Sequence, residues 1–131
     1  MIKIKKEETE SHTISILVDN EAGALARVIG LFSGRGYNIE SLSVAEIDQD
    51  KHKSRITIVT NGSMITINKI KSQLERLVPV HSVNDLTSEG PSIEREMALI
   101  KVICSKNDRE EVIRLSEVYR AKTVDTTQDS F

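Results

Sequence analysis

Between Ile14 and Leu86 the spacing of apolar residues switches from two to three-and-four and back again, twice. Ile14, Ile16 and Val18 alternate with Thr13 and Ser15, which predicts a strand over His12 to Asp19 with one buried face. Leu25, Val28, Ile29 and Phe32 then fall at i, i+3, i+4 and i+7, the stripe of a helix running from about Gly23 to Arg35, with Gly34 and Gly36 ending it. Asn38 to Ile47 reads as a second strand, followed by a charged loop from Asp48 to Lys53. Ser54 to Thr60 alternates Ile56 and Ile58 against Thr57 and Val59, and Asn61-Gly62 is a turn signal. Ile67, Ile70, Leu74 and Leu77 mark a helix over about Thr66 to Leu77, stopped by Pro79. Val80 to Leu86 is the fourth strand. The order βαββαβ predicts an α+β, ferredoxin-like split βαβ unit, with two helices on one face of a four-stranded antiparallel sheet.

A turn-rich linker, Ser88 to Ser92, separates this unit from a second β-α-β run: Met97 to Cys104, Asp108 to Tyr119, and Ala121 to Thr126. Asp108 is placed to cap the helix, with Glu111 completing a capping box. Val28-Ile29-Gly30-Leu31 is echoed by Val112-Ile113-Arg114-Leu115, so the second run reads as a partial repeat of the first module. The organisation expected is a polar tail over 1–11, a ligand-binding-type domain over 12–87, a linker over 88–94 and a partial second module over 95–131. That second module stops about halfway, at Phe131.

Composition narrows the functional classes. Eighteen basic and 20 acidic side chains leave a net charge of −2, without the contiguous basic stripe of a general nucleic-acid binder. Aromatics are 3% with no Trp, so the core must be Ile, Val and Leu. One cysteine, Cys104, excludes an internal disulfide framework and fits a reducing compartment; it reads as a buried small hydrophobe. The charged run Lys3 to Glu10 reads as a solvated tail, and no apolar stretch is long enough to cross a bilayer. The expectation is a cytoplasmic protein that binds neither membrane nor nucleic acid.

No catalytic constellation emerges. His12, His52 and His81 sit in different elements with no Cys or carboxylate at metal-ligand spacing, and read as surface or strand histidines. Glu40 and Glu46 share a face of one strand but are too far apart for paired acid–base work. Gly34-Arg35-Gly36 closes a helix rather than opening one, so it is a cap and not a nucleotide loop. The turn at Asn20 to Gly23 is different. It sets free backbone N–H groups at a helix start, where a small carboxylate can bind, and Gly23 has no Cβ to block the approach. Asn20 is either the helix cap or an amide for a ligand. Gly23 is a plain turn glycine or a point of close approach, and Asn38 bonds its own turn or reaches a ligand.

The run Asn20-Glu21-Ala22-Gly23-Ala24-Leu25-Ala26-Arg27-Val28-Ile29-Gly30-Leu31-Phe32, with Arg35-Gly36-Tyr37-Asn38-Ile39-Glu40-Ser41-Leu42, closely resembles the regulatory small subunits of acetolactate synthase (acetohydroxyacid synthase). The likeness continues through Ser54 to Ile58 and Gln73 to Val80, and resumes at Ile93 to Val102, covering residues 12 to about 126. It implies an ACT domain, the ferredoxin-like module that binds amino acids at subunit interfaces. It also implies feedback inhibition by a branched-chain amino acid, usually valine, in branched-chain amino-acid biosynthesis.

On that resemblance the effector site comprises Asn20, Ala22, Gly23, Ala24 and Leu25 of one protomer, with Asn38 and Ile39 reaching in from the partner. Leu25 and Ile39 are candidates for the small apolar pocket, which separates valine, leucine and isoleucine by only about 1–3 kcal/mol per methylene. Thiamine diphosphate, Mg²⁺ and FAD belong to the catalytic large subunit, and this chain is expected to bind none of them and to be no enzyme alone. The expected partners are a second copy of the chain, the large subunit, and valine or another branched-chain amino acid. The resemblance also implies a complete second domain. The alternative is a free-standing ACT-type amino-acid sensor with another partner. A ferredoxin-like RNA binder would need exposed aromatics on its central strands, and Phe32, Tyr37, Tyr119 and Phe131 are not placed there.

Overall fold

The computed structural model describes residues 9–127 and Ser130. Six elements make the first unit: β1 (Glu10–Asp19), α1 (Ala24–Gly34), β2 (Ser41–Asp48), β3 (Lys53–Gly62), α2 (Met64–Leu74) and β4 (Val80–Asp85). The strands form one antiparallel sheet in the order β2-β3-β1-β4, the ferredoxin-like arrangement expected from the periodicity. Chain compactness divides the protein between Ile93 and Glu94.

Alternation decides which face is buried. His12, Ile14, Ile16 and Val18 point to the helices from β1, and Ser54, Ile56, Ile58 and Thr60 do so from β3. Val28 and Phe32 of α1, and Ile67, Ile70 and Leu74 of α2, close over them to complete the core. Each such side chain contributes about 1.5–3 kcal/mol by leaving water. Phe32 meets Tyr37 edge-on, with ring centres 6.1 Å apart. The opposite face of the sheet mixes hydroxyl side chains such as Ser15, Thr57, Ser43 and Ser82 with Leu17, Arg55 and Val59.

Three local readings change. Asn61-Gly62 does not turn: it continues β3, because the strand before His12 extends back to Glu10 and supplies pairing partners for both residues. Glu10 and Ser11 therefore belong to the sheet and not to a tail, while residues 1–8 lie outside the described residues. Gly62 earns its place by packing, since a Cβ there would lie 3.3 Å from Ile67 Cδ1 and from Thr66. Ser63 starts α2, its Oγ accepting from Thr66 N at 3.4 Å. The helix then ends at Leu74, five residues before Pro79, with a turn through Leu77.

Of the two readings of His12, surface or strand, the structure takes the strand one. His12 is 2% exposed, and its Nδ1 donates to Oδ2 of Asp85, itself 1% exposed, at 2.9 Å. The other Asp85 oxygen accepts from Thr87 N at 3.1 Å. The pair ties the central strand to the last one inside the core.

The second unit contains α3 (Arg109–Val118), none of whose residues is buried. The strands expected at Met97 to Cys104 and Ala121 to Thr126 do not form among the described residues, apart from a single bridge between Ile103 and Ser130. Strands need neighbours on a shared apolar face, and two alone do not make a stable sheet. Asp108 precedes α3 without a side-chain cap bond; it accepts from Ser105 Oγ at 2.6 Å, and Glu111 pairs with Arg114 instead of closing a capping box. Cys104 is half-buried and in no strand. Phe131 lies outside the described residues. Among those residues no helix is long and apolar enough to cross a membrane.

Replacing Asp85 by Ala leaves His12 buried without its acceptor and frees Thr87 N. The expected loss is about 3 kcal/mol, read as a fall in the urea midpoint at unchanged slope. A loss under 0.5 kcal/mol would mean that water replaces the pair.

Candidate functional site

The turn expected to hold a ligand begins where β1 runs out. Asp19 N donates to Pro79 O at 2.8 Å and Asn20 N to His52 O at 2.7 Å, pinning the strand end from both sides. Oδ1 of Asp19 accepts from Lys53 Nζ at 2.5 Å and lies 2.7 Å from Nε2 of His81, and Lys53 and His81 also touch. The Lys53 hydrogen bond first, and that of His81 second, hold the Asp19 carboxyl below the usual carboxylate range. Nothing local in the sequence announces this cluster, whose members are 34 and 62 residues from Asp19.

Asn20, Glu21 and Ala22 follow, exposed, and Gly23 is the residue that starts α1. Its φ of 85° is left-handed, a conformation that glycine takes freely and side-chain-bearing residues take at a cost of about 1–2 kcal/mol. A Cβ there would nevertheless meet nothing within 4 Å, so the approach to the turn is open. The helix start has no side-chain cap. Asn20, one reading of which was the cap, sends its Nδ2 to Glu46 Oε1 of β2 at 3.0 Å. Its Oδ1 meets no donor, and the N–H groups of Ala22, Gly23, Leu25 and Ala26 meet no acceptor, among the described residues. The turn thus offers donors for a carboxylate and, in Asn20 Oδ1, an acceptor for an ammonium.

Side chains divide accordingly. Ala24 is 3% exposed and faces the core, so only its backbone faces outward; Leu25 is 36% exposed. Asn38 is exposed, and its Nδ2 donates to Glu40 Oε1 at 2.6 Å, an oxygen that also accepts from Asn61 at 3.1 Å. Ile39 is half-buried against the protomer's own core. Within one protomer the two groups are not brought together. Asn20 lies beside His52 at the start of β3, whereas Asn38 O accepts from Thr60 Oγ1 near its end. His52 and Thr60 are eight residues apart along the strand, roughly 26 Å.

Strand β2 spans that distance as an edge. From Ser41 to Ile47 every residue is exposed. Leu42 and Val44 lie opposite Ile58 and Ile56, on the helical side, yet remain 39% and 45% exposed because no helix covers them. An unpaired edge with an uncovered apolar strip is a surface that proteins do not normally leave bare. Among the described residues no group of three or more His, Cys, Asp or Glu is arranged to hold a metal ion.

A βαββαβ sheet with a glycine turn leading from its central strand into α1 is the architecture of the ACT domain, and the first unit is one. Residues 14–82 match the family described as AHAS small subunit-like ACT domain, and residues 95–131 match the small subunit of acetolactate synthase. The chain belongs to the acetolactate synthase small-subunit family. It is 45% identical over 130 residues to the acetolactate synthase small subunit of Aquifex aeolicus, covering 98% of this chain and 67% of that one. To the acetolactate synthase isozyme 3 small subunit of Salmonella typhimurium it is 49% identical over 114 residues, 87% of this chain and 69% of the other. The solved small subunit from Thermotoga maritima superposes with a TM-score of 0.70 at 28% identity, over 92% of this chain and 74% of that structure.

The Asp19 cluster yields a pH prediction. Because its folded pKa is depressed, its stabilising effect is present at neutral pH and disappears as pH falls through the acid range, below about 4. Carboxyl-carbon NMR should show Asp19 titrating at higher pH in Lys53→Ala than in the parent. An unchanged titration would mean that Lys53 does not hold the carboxylate.

Proposed function

We propose that this chain is the regulatory subunit of acetolactate synthase in branched-chain amino-acid biosynthesis: a homodimer that binds valine, associates with and activates the catalytic large subunit, and inhibits it when valine is bound. The observation that carries the reading is the separation of the two candidate groups along one flank. Asn20–Leu25 and Asn38–Ile39 stand at opposite ends of β2's side of the sheet, with the bare β2 edge between them. A two-fold axis at the middle of that flank sets one end of a protomer against the other end of its partner, which makes two identical sites. The same pairing covers Leu42 and Val44 and removes an open edge.

In such a site the valine carboxylate meets the N–H groups at the start of α1, where the helix dipole favours negative charge. Asn20 Oδ1 takes the ammonium. The isopropyl group rests on Leu25 and on the partner's flank beside Ile39. In this reading the catalytic groups, with thiamine diphosphate, Mg²⁺ and FAD, belong to the large subunit. Control of that subunit requires valine to favour one state of the assembly over another, typically by ~1–3 kcal/mol.

The defining experiment adds purified chain to isolated cognate large subunit and follows acetolactate formation with and without valine. The chain alone should turn over no pyruvate, and the mixture should gain valine-sensitive activity. Valine binding to the chain with no effect on the large subunit would indicate a free-standing sensor.

Gly23→Asp puts a negative charge where the ligand carboxylate belongs, and also loads the left-handed backbone, so it should cost about 1 kcal/mol of stability and abolish valine binding. Gly23→Ala shares the backbone cost without the charge and should keep more of the affinity. Asn38→Ala should weaken binding from the partner's side. Mixed Gly23→Asp and Asn38→Ala protomers should regain intact sites, on random pairing about one in four, counted by calorimetry. If mixing restores nothing, the site is not shared between protomers.

A further inference from the structure

Helices α1 and α2 leave two adjoining hollows between and beside them, of about 400 and 440 Å³. Both are lined by Gln73 and Arg76, so they form one groove. It follows α2 and the turn after it from Ile65 to Arg76, roughly 16 Å at 1.5 Å of rise per residue.

Four cations line this groove although the chain's net charge is −2: Arg27 and Arg35 from α1 and its C-terminal cap, Lys69 and Arg76 from α2 and the turn after it. Glu21 takes Arg27 at 3.0 Å. The charged side-chain groups of Arg35, Lys69 and Arg76 have no acidic partner and no hydrogen-bond acceptor among the described residues. Leu31 and Leu77 add apolar surface. Gln73 Oε1 is buried and has no partner among the described residues, which is costly unless a donor arrives.

A further observation comes from α1. Gly30 stands inside the helix, three residues on from Arg27 and on the exposed side, where a Cβ would meet nothing within 4 Å. Glycine weakens a helix interior, and nothing within the protomer requires it there. The missing side chain leaves room for a partner's backbone to pass close over α1.

We infer that this groove receives an acidic segment of the catalytic large subunit, with apolar residues along one side. The inference rests on the reading of this chain as a regulatory subunit and adds the surface through which it acts. Guanidinium groups match carboxylates in a two-bond fork, which suits Arg35 and Arg76 to Asp or Glu side chains. A second copy of the chain does not fit, because a two-fold contact here sets arginine against arginine. A single amino acid is too short to engage both hollows.

The test uses the full chain and its cognate large subunit, with binding measured at low and high salt. Arg35→Glu/Arg76→Glu should weaken association more than tenfold and flatten its salt dependence, with thermal unfolding and self-association unchanged. Gly30→Ala should raise the melting temperature of the chain alone yet weaken association several-fold, a combination that a purely structural role does not give. Parent-like association in both variants overturns the groove while leaving the regulatory reading intact. Loss of self-association in the charge-reversed variant also overturns it, by making the groove a contact between copies. If the parent chain itself binds no large subunit, the regulatory reading and the groove fall together.

Discussion

Strand β1 is hydrogen-bonded to β3 along one side and to β4 along the other, and its apolar face, Ile14, Ile16 and Val18, is at most 2% exposed beneath the helices. Every other part of the ACT unit takes its position from that burial. The two neighbours fix where β1 ends, and the bonds from Asp19 to Pro79 and from Asn20 to His52 hold that end still. The turn that follows therefore starts from a rigid base, while its own N–H groups are left open. A binding site gains from this arrangement, because little ordering remains to be done when a ligand arrives.

The sheet order also sets the asymmetry of the molecule. With β1 central, β2 and β4 are edges, and only β2 carries exposed apolar residues on the helical side, Leu42 and Val44. The two helices then present a third surface, the cationic groove, on the other side of α1 from Leu25. One helix thus faces two ways. Leu25 begins the flank proposed to meet a second copy, and Arg27 and Leu31 border the groove proposed for the catalytic subunit.

Much of this was legible in the sequence because periodicity is local. Ile14, Ile16, Val18, Ile56, Ile58, Ile67, Ile70 and Leu74 each declared the face they bury. What escaped was set by distance in sequence. The His12–Asp85 pair and the Asp19–Lys53–His81 cluster join residues that no spacing rule connects. The groove cations are scattered from Arg27 to Arg76, so no basic stripe appears until α1 and α2 lie side by side. Asn20 failed as a cap because Gly23, three residues on, holds the position that starts α1, while the Asn20 amide N–H reaches across to Glu46 on another strand. Asn61-Gly62 has turn chemistry, yet the pairing offered by Glu10 and Ser11 overrides it. The strands of the second unit failed for the converse reason: Met97, Leu99 and Ile103 have strand-like alternation, but among the described residues no sheet takes them in.

The central placement of β1 has a consequence for how the protein is made. The strand with the most buried apolar side chains leaves the ribosome first, yet one of its neighbours, β4, is the last of the sheet to emerge. At about 5–20 residues per second, several seconds pass between the synthesis of Val18 and that of Val83. During that time Ile14 and Ile16 have no complete shelter, and His12 waits for the carboxylate of Asp85. Throughout this interval that apolar face has no complete partner to bury it, and an incompletely paired strand is open to mispairing.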